Sequence, residues 1–124
     1  MPWLAIAAGA VLGAWLRWGL GVWLNPLWAE VPLGTLTANL LGGLMVGIAI
    51  EFFAQYPGLA PEWRLALITG FLGALTTFST FSAESAALML RGQFAWAFGH
   101  AALHLFGSLA LTFAGMALAR ACVR

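Results

Sequence analysis

Charged residues and cysteine are scarce in this chain, and each scarcity excludes a class of function. Only 7% of the residues are charged, against about 25% in a typical soluble domain, while 63% are hydrophobic. The basic residues are all arginines and are scattered singly, so the chain has no basic patch for nucleic acid. Its only cysteine, Cys122, allows neither a disulfide framework within the chain nor a thiolate metal cluster. We therefore expect no nucleic acid partner and an inert Cys122.

The hydrophobic residues are gathered into four long stretches, which predict an all-α membrane protein. Each stretch reaches the roughly 20 residues that an α-helix needs to cross a bilayer core. Short segments with proline, glycine and charge separate them, as is typical of turns. We predict one four-helix transmembrane domain over residues 1–124, in contact with the lipid bilayer, whose first span is retained rather than cleaved as a signal peptide. The predicted spans are residues 3–24, 33–54, 63–90 and 94–120.

The arginines that flank these spans differ little in number between the two sides of the membrane. One side would hold Arg64, Arg120 and Arg124, and the other Arg91 with a snorkelling Arg17. A chain with so weak a bias can insert in both orientations, and two opposite copies can pair about a two-fold axis in the membrane plane. Glycine pairs spaced four apart in the first two spans predict close helix packing. Any path through the protein should therefore be narrow.

Residues 76–82 in the third span carry five hydroxyls and two phenylalanines at a depth where a membrane helix should be apolar. Irregular backbone survives there only where it is buried in protein or lines a cavity. We predict that the helix stops near residues 73–76 and restarts after Ser79 or Thr80, with a Ser or Thr as N-cap and Glu84 in the first turn of the second half. The carbonyl end of the first half would suit a cation and the N–H end of the second an anion. A continuous helix that carries hydroxyls is the alternative.

The other polar residues within the spans form stripes. Thr35 and Asn39 share one face of the second span. In the fourth span a polar residue recurs every four positions, which predicts one slowly winding stripe. Its hydroxyls either bond back to their own helix or line a polar path. The stripe consists of His100, His104, Ser108 and Thr112.

The two histidines of that stripe have the spacing of a helical metal pair, but no cysteine or acidic ligand accompanies them locally. We therefore favour hydrogen-bonded packing, or a place on the lining of a polar path, for His100 and His104. Charges at membrane depth are candidates for function. Glu51 is interpreted as a helix-end anchor, whereas Glu84 is harder to explain structurally. For Arg17, snorkelling and a fixed positive charge at the mouth of an anion route both remain open.

Phe78 and Phe81 lie three residues apart beside hydroxyl donors and the Asn39 amide. Because the rim of an aromatic ring is electropositive, two such rings could present their edges to a small anion. Packing of both rings into the helix interface is the simpler interpretation of the residues alone.

Three segments resemble the fluoride channels of the Fluc (CrcB) family, and the likeness covers all four spans in order. The segments are GAWLRW at 13–18, GTLTAN at 34–39 and TGFLGALTTFSTFSAE at 69–84. The resemblance implies an antiparallel, dual-topology homodimer of four-helix subunits with a broken third helix. It also implies two parallel routes by which fluoride leaves a bacterial cell passively across the inner membrane, which relieves its toxicity.

The resemblance also assigns roles to individual residues. The carbonyls of Gly73 and Thr76 from each subunit would hold a central structural Na⁺ at the dimer axis, which agrees with the carbonyl-rich helix end expected above. Arg17 would lie near a vestibule and Glu84 beside the pore. No motif of the family matches the two histidines. The implied fluoride pore comprises Phe78, Phe81, Asn39, Ser108, Thr112, Glu84 and Arg17.

Two other classes of protein compete with a channel. Proton-coupled exporters of the small multidrug resistance type also have four short spans and dual topology. They carry an essential glutamate in the first span, where this chain has Arg17 and no acid. A structural membrane subunit without transport would leave the polar stripes without a purpose.

Overall fold

The computed structural model describes residues 1–122, and within that range the chain forms helices and turns but no strand. Arg124, which entered the comparison of flanking charges, lies outside the described residues. A short 3₁₀ turn at Asn25–Leu27 follows the first helix. The helices are α1 (Pro2–Leu24), α2 (Leu33–Gln55), α3 (61–75), α4 (Ser79–Leu90) and α5 (Phe94–Cys122).

Four helical stretches are long and apolar enough to cross a membrane, which confirms the predicted all-α architecture. The third of them, Pro61–Leu90, is divided into α3 and α4. The predicted ends differ from the observed helix ends by at most two residues, because helix ends fray and the flanking turns are themselves partly helical. Glu51, near the end of α2, accepts a hydrogen bond from Arg120 Nε at 2.9 Å and forms an ion pair with Arg120 Nη2 at 2.7 Å, as expected of a helix-end anchor.

Helix α3 is not a regular α-helix along its length. It begins at Pro61, whose fixed φ suits a first helical turn. Its middle, Leu65–Leu72, is a π-helix, and the Gly73 N–H reaches back five residues to the Ile68 carbonyl. π-Helical geometry is rare and occurs mostly as single turns at functional sites. The wide turns lie where α3 meets α1.

The break between α3 and α4 lies where the sequence predicts it. Thr76 is extended (φ −80°, ψ 153°), and helical geometry resumes at Ser79. A hydroxyl cap is present as predicted, but it lies earlier than expected: Phe78 at the formal N-cap position already has helical φ and ψ (−90°, −37°), and Thr77 Oγ1 accepts from the Thr80 N–H at 3.1 Å. Glu84 is also not in the first turn of α4, because the helix restarts early enough to place it one turn further on.

Glycines let two pairs of helices meet backbone to backbone. On α1, a side chain at Gly9 or Gly13 would overlap the α3 backbone at Ala66 or Phe71. On α2, a side chain at Gly47 would overlap the Thr112 carbonyl of α5. The predicted packing role of these glycines is thereby confirmed.

A small buried core fixes the last turn of α3. Leu72 and Leu75 are almost fully buried against Ala38 of α2, and Leu20 of α1 packs against the same cluster. The carbonyl end of α3 is therefore held between two intact helices just before the chain breaks.

Candidate functional site

Asn39 provides hydrogen-bond partners for backbone groups that the break in the third span leaves without helical partners. Its Oδ1 accepts from the Thr77 N–H at 2.7 Å, and its Nδ2 donates to the Thr77 carbonyl at 3.0 Å. The side-chain amide thus pairs with both backbone polar groups of Thr77. An unpaired peptide at membrane depth is costly, so this pair explains how extended backbone is tolerated in the middle of a span.

The same amide determines the tautomer of His104. Because Asn39 Oδ1 faces an N–H group, its Nδ2 is the donor that lies 2.9 Å from His104 Nδ1. His104 Nδ1 therefore accepts, and the neutral ring carries its proton on Nε2. His104 is 5% exposed, and its Nε2 is the one buried side-chain polar atom without a hydrogen-bond partner within residues 1–122. The site thus contains a desolvated N–H donor.

Glu84 lies in a chain of hydrogen bonds that crosses three helices. Its Oε2 accepts from Thr35 Oγ1 of α2 at 2.6 Å, and its Oε1 lies 3.1 Å from His100 Nε2 of α5. The other ring nitrogen of His100, Nδ1, lies 3.0 Å from Ser85 Oγ. Both carboxylate oxygens of Glu84 are therefore engaged.

No acidic ligand lies near the two histidines in the sequence, but the turn between α4 and α5 brings Glu84 of the preceding helix against them. One ligand atom from each of Glu84, His100 and His104 lies within 4.8 Å of the others. The donor set nevertheless does not suit a metal. A metal on His104 Nε2 would move the ring proton to Nδ1, where it would face the N–H donor of Asn39. Hydrogen-bonded packing, as the sequence favours, fits these contacts better.

The two phenylalanines have different surroundings. Phe81 stacks on His100, with ring centroids 5.2 Å apart and planes 10° apart, and its centroid is 4.8 Å from that of His104. Phe78 contacts Phe81 at 5.5 Å but is 79% exposed. Packing therefore covers one face of Phe81, whereas Phe78 projects from the subunit.

An open groove of about 620 Å³ runs along this side of the subunit. Its lining includes five of the seven residues that the family resemblance assigns to a pore, together with both residues assigned to a cation. Arg17 and Glu84 are not among its lining residues. The predicted residues on the groove are Asn39, Phe78, Phe81, Ser108, Thr112, Gly73 and Thr76, and His104 joins them.

Arg17 and Thr112 are both engaged by backbone carbonyls. Arg17 Nε donates to the Ala74 carbonyl at 3.0 Å, so the guanidinium lies at the carbonyl end of α3, beside a second cavity of about 320 Å³ that Thr35 and Thr77 also line. The Thr112 hydroxyl lies 2.9 Å from the Ser108 carbonyl and 3.0 Å from that of Gly43. It bonds back to its own helix, which was one of the two interpretations of the stripe.

The carbonyl end of α3 faces the groove. A side chain at Gly73 would meet only the Ile68 carbonyl, at 3.7 Å, so the approach to its backbone is open. Thr76 turns both of its donors, the N–H and Oγ1, back onto the Leu72 carbonyl at 3.0 and 2.9 Å. Two backbone oxygens at a helix C-terminus, without a competing donor from Thr76 itself, are suited to a small cation.

These features define a membrane protein of four spans whose broken third helix borders a groove with polar groups at its base. The family model described as CrcB-like protein, Camphor Resistance (CrcB), matches residues 4–116, and the chain belongs to this family. It is 61% identical over 114 residues to the fluoride-specific ion channel FluC of Pseudomonas putida, covering 92% of this chain and 90% of the relative. It is 60% identical over 116 residues to that of Nitrosomonas europaea, covering 94% and 91%.

Sequence reasoning missed how the histidines take part in this site. It left their role open because helical spacing gives the face of a residue but not its partner on another helix. The available signal was the combination of an i, i+4 histidine pair with a glutamate in the preceding span, since a short turn brings adjacent antiparallel helices together.

Proposed function

We propose that this protein is a fluoride-selective channel through which fluoride leaves the cell passively across the bacterial inner membrane, so that fluoride toxicity is relieved. The observation that carries the proposal is the coincidence of two facts. Relatives about 60% identical over most of both chains are named fluoride-specific ion channels, and five residues of the implied pore line one groove. A channel forms and breaks no covalent bonds, so the protein is not an enzyme.

The functional unit that we propose is an antiparallel homodimer with two routes for fluoride. Its support is that the groove is open along one side and that Phe78, at 79% exposure, projects from the subunit. A second copy in the opposite orientation would cover this surface. The weak charge bias of the loops is compatible with such dual insertion.

Fluoride is small and strongly hydrated, so a narrow route must replace much of its water with donors. In this proposal the ion enters near Arg17 in the second cavity and passes the rims of Phe81 and Phe78 in the groove. The N–H at His104 Nε2 is a donor with no other partner within residues 1–122. Ser108 adds a hydroxyl on the groove.

In this proposal Asn39 and Thr112 act mainly by positioning neighbouring groups rather than by donating to fluoride themselves. Both N–H groups of the Asn39 amide are engaged, one by the Thr77 carbonyl and one by His104 Nδ1. The Thr112 hydroxyl proton is directed at backbone carbonyls. Asn39 therefore holds the break and keeps the His104 proton on Nε2, where fluoride would meet it.

We also propose a structural Na⁺ at the dimer axis, held by the carbonyls of Gly73 and Thr76 from both copies. One chain supplies two of the four oxygens, so the site would be complete only in the dimer. Backbone carbonyls are hard ligands of the kind that small cations prefer. Replacing Na⁺ by N-methylglucamine should abolish flux if the ion is required, and unchanged flux would contradict this part of the proposal.

The function is tested by fluoride efflux from liposomes that contain only the purified protein, followed with a fluoride electrode. A channel carries charge, so efflux should begin only when valinomycin lets K⁺ follow, and it should need no pH gradient. Chloride efflux from the same vesicles should stay at the level of empty liposomes.

The same assay separates the competing classes. A proton-coupled exporter would respond to a pH gradient and would not depend on valinomycin in this way, and a structural subunit would give no flux. The absence of an acidic residue from α1 already argues against the exporter. Fluoride flux equal to that of empty vesicles would contradict the proposed function.

A further inference from the structure

Glu84 poses an electrostatic problem for an anion route. Its carboxylate follows Phe81 by one helical turn, and its side chain is 14% exposed. A negative charge this close to the groove repels an approaching anion, and the repulsion is strong because few water molecules screen it. The charge is tolerable only if it is held in place and compensated by donors. The donors to Glu84 are Thr35 Oγ1 and His100 Nε2.

His100 is held on three sides, and it is fully buried. Its Nε2 meets Glu84 at 3.1 Å, its Nδ1 meets Ser85 Oγ at 3.0 Å, and Phe81 covers one face of its ring. An imidazole with both nitrogens engaged and a ring stacked on it has only one orientation. The position of the Glu84 carboxylate and the orientation of the Phe81 ring therefore both depend on His100.

We infer that His100 is a positioning residue for fluoride conduction, which draws the Glu84 carboxylate away from the route and sets the plane of the Phe81 ring. The inference rests on the proposed function and extends it to a residue that does not line the groove. A purely structural role for His100 is the competing explanation. The two differ in what happens when the charge of Glu84 is removed.

The test compares flux in valinomycin-driven liposomes for wild type, His100→Phe, His100→Gln and the double variant His100→Phe with Glu84→Gln. Phenylalanine fills the imidazole site and keeps a ring against Phe81 but cannot donate to Glu84. Glutamine keeps an N–H donor near the position of Nε2. A Leu103→Phe variant is the matched control, because it adds the same ring to the exposed side of α5.

We expect His100→Phe to conduct at least about tenfold more slowly than wild type, because the carboxylate charge is freed beside the route. Removal of that charge in the double variant should raise the fluoride flux at least about tenfold above that of His100→Phe. His100→Gln should conduct at least about threefold faster than His100→Phe, because hydrogen bonds to charged groups are the strong ones. Leu103→Phe should match wild type.

The inference is overturned if the double variant is as slow as His100→Phe, since removal of a charge cannot repair lost packing. Equal flux in His100→Gln and His100→Phe would overturn it as well. Size-exclusion profiles in detergent identify any variant that fails to fold, and in that case the comparison of His100→Gln with wild type decides. A wild-type protein without fluoride flux would instead contradict the proposed function.

Discussion

The second and third spans both carry polar groups through an apolar layer, but they do so differently. Helix α2 is unbroken from Leu33 to Gln55, and its polar groups are side chains such as Thr35 and Asn39. The third span exposes the backbone itself at Thr76 and Thr77. Asn39 of the unbroken helix satisfies the backbone groups that the broken span exposes at Thr77, and Thr35 donates to the Glu84 carboxylate of the same span. The break in the third span therefore depends on residues of α2 as well as on its own sequence.

The largest effect should follow from separating α2 and α5. At Gly115 of α5 a side chain would overlap the Leu44 carbonyl of α2, whereas Gly99 of the same helix has open space around it. Gly115→Leu should abolish the folded protein, because backbone cannot yield as a flexible side chain does and overpacking alone costs about 1–3 kcal/mol. Gly99→Leu should leave the elution volume and thermal unfolding in detergent close to wild type. Comparable losses in both variants would contradict the close contact of the two backbones.

The next largest effect should come from Asn39→Asp, which leaves both helices folded and keeps an acceptor for the Thr77 N–H but loses two of the three hydrogen bonds that Asn39 makes. The carboxylate cannot donate to the Thr77 carbonyl or to His104, and each lost hydrogen bond costs about 1–3 kcal/mol at a buried site. Fluoride efflux should fall by at least about 100-fold. The proposed dimer should still be captured by cross-linking in this variant.

Phe81→Ile provides the second arm of that comparison, because it removes the aromatic rim while Asn39 stays in place. We expect efflux to be abolished here too, with the dimer intact. Near-normal flux in both variants would refute the assignment of these residues to a pore.

A smaller effect should follow from Thr77→Val. The variant keeps the peptide that pairs with Asn39 and removes only the hydroxyl that accepts from the Thr80 N–H. Loss of such a cap costs about 1 kcal/mol, and we expect a lower unfolding temperature with flux retained. Ser82→Ala is the control, because it removes an exposed hydroxyl of the same run. If Thr77→Val abolished flux, the hydroxyl rather than the backbone of the break would be the working part.

The smallest effect should come from Glu51→Gln at the far end of α2. The Glu51 side chain is 14% exposed, but that of its partner Arg120 is 62% exposed, and an ion pair that is open to water and salt on one side contributes little. Flux and unfolding temperature should match wild type at both low and high salt. A clear loss would mean that the end of α2 takes part in the site.

Much of the fold could be predicted from the sequence because a bilayer imposes a length and an apolar composition on each span. The position of the break was also predictable, since residues 76–82 combine polarity with membrane depth. The π-helical turns of Leu65–Leu72 were not, because they lie where α1 closely approaches the α3 backbone, a contact between segments far apart in sequence.

The partners of the polar residues could be predicted only in part. Spacing showed that Thr35 and Asn39 share a face, but not that one binds Glu84 and the other Thr77. Chemistry alone made packing the simpler interpretation for Phe81, and the structure places one face against His100 and leaves the ring on the groove. In each case the deciding contact comes from a helix far along the chain.

The pairing of Asn39 with the Thr77 peptide also bears on the order of biogenesis. Both partners belong to one chain, so a newly inserted molecule can pair the Thr77 backbone groups of its break without help from another molecule. The open groove, in contrast, leaves Phe78 exposed until something covers it. For the dimer proposed above, each chain would therefore complete its insertion and folding before assembly, and monomers in the membrane would be folded molecules rather than unfolded intermediates.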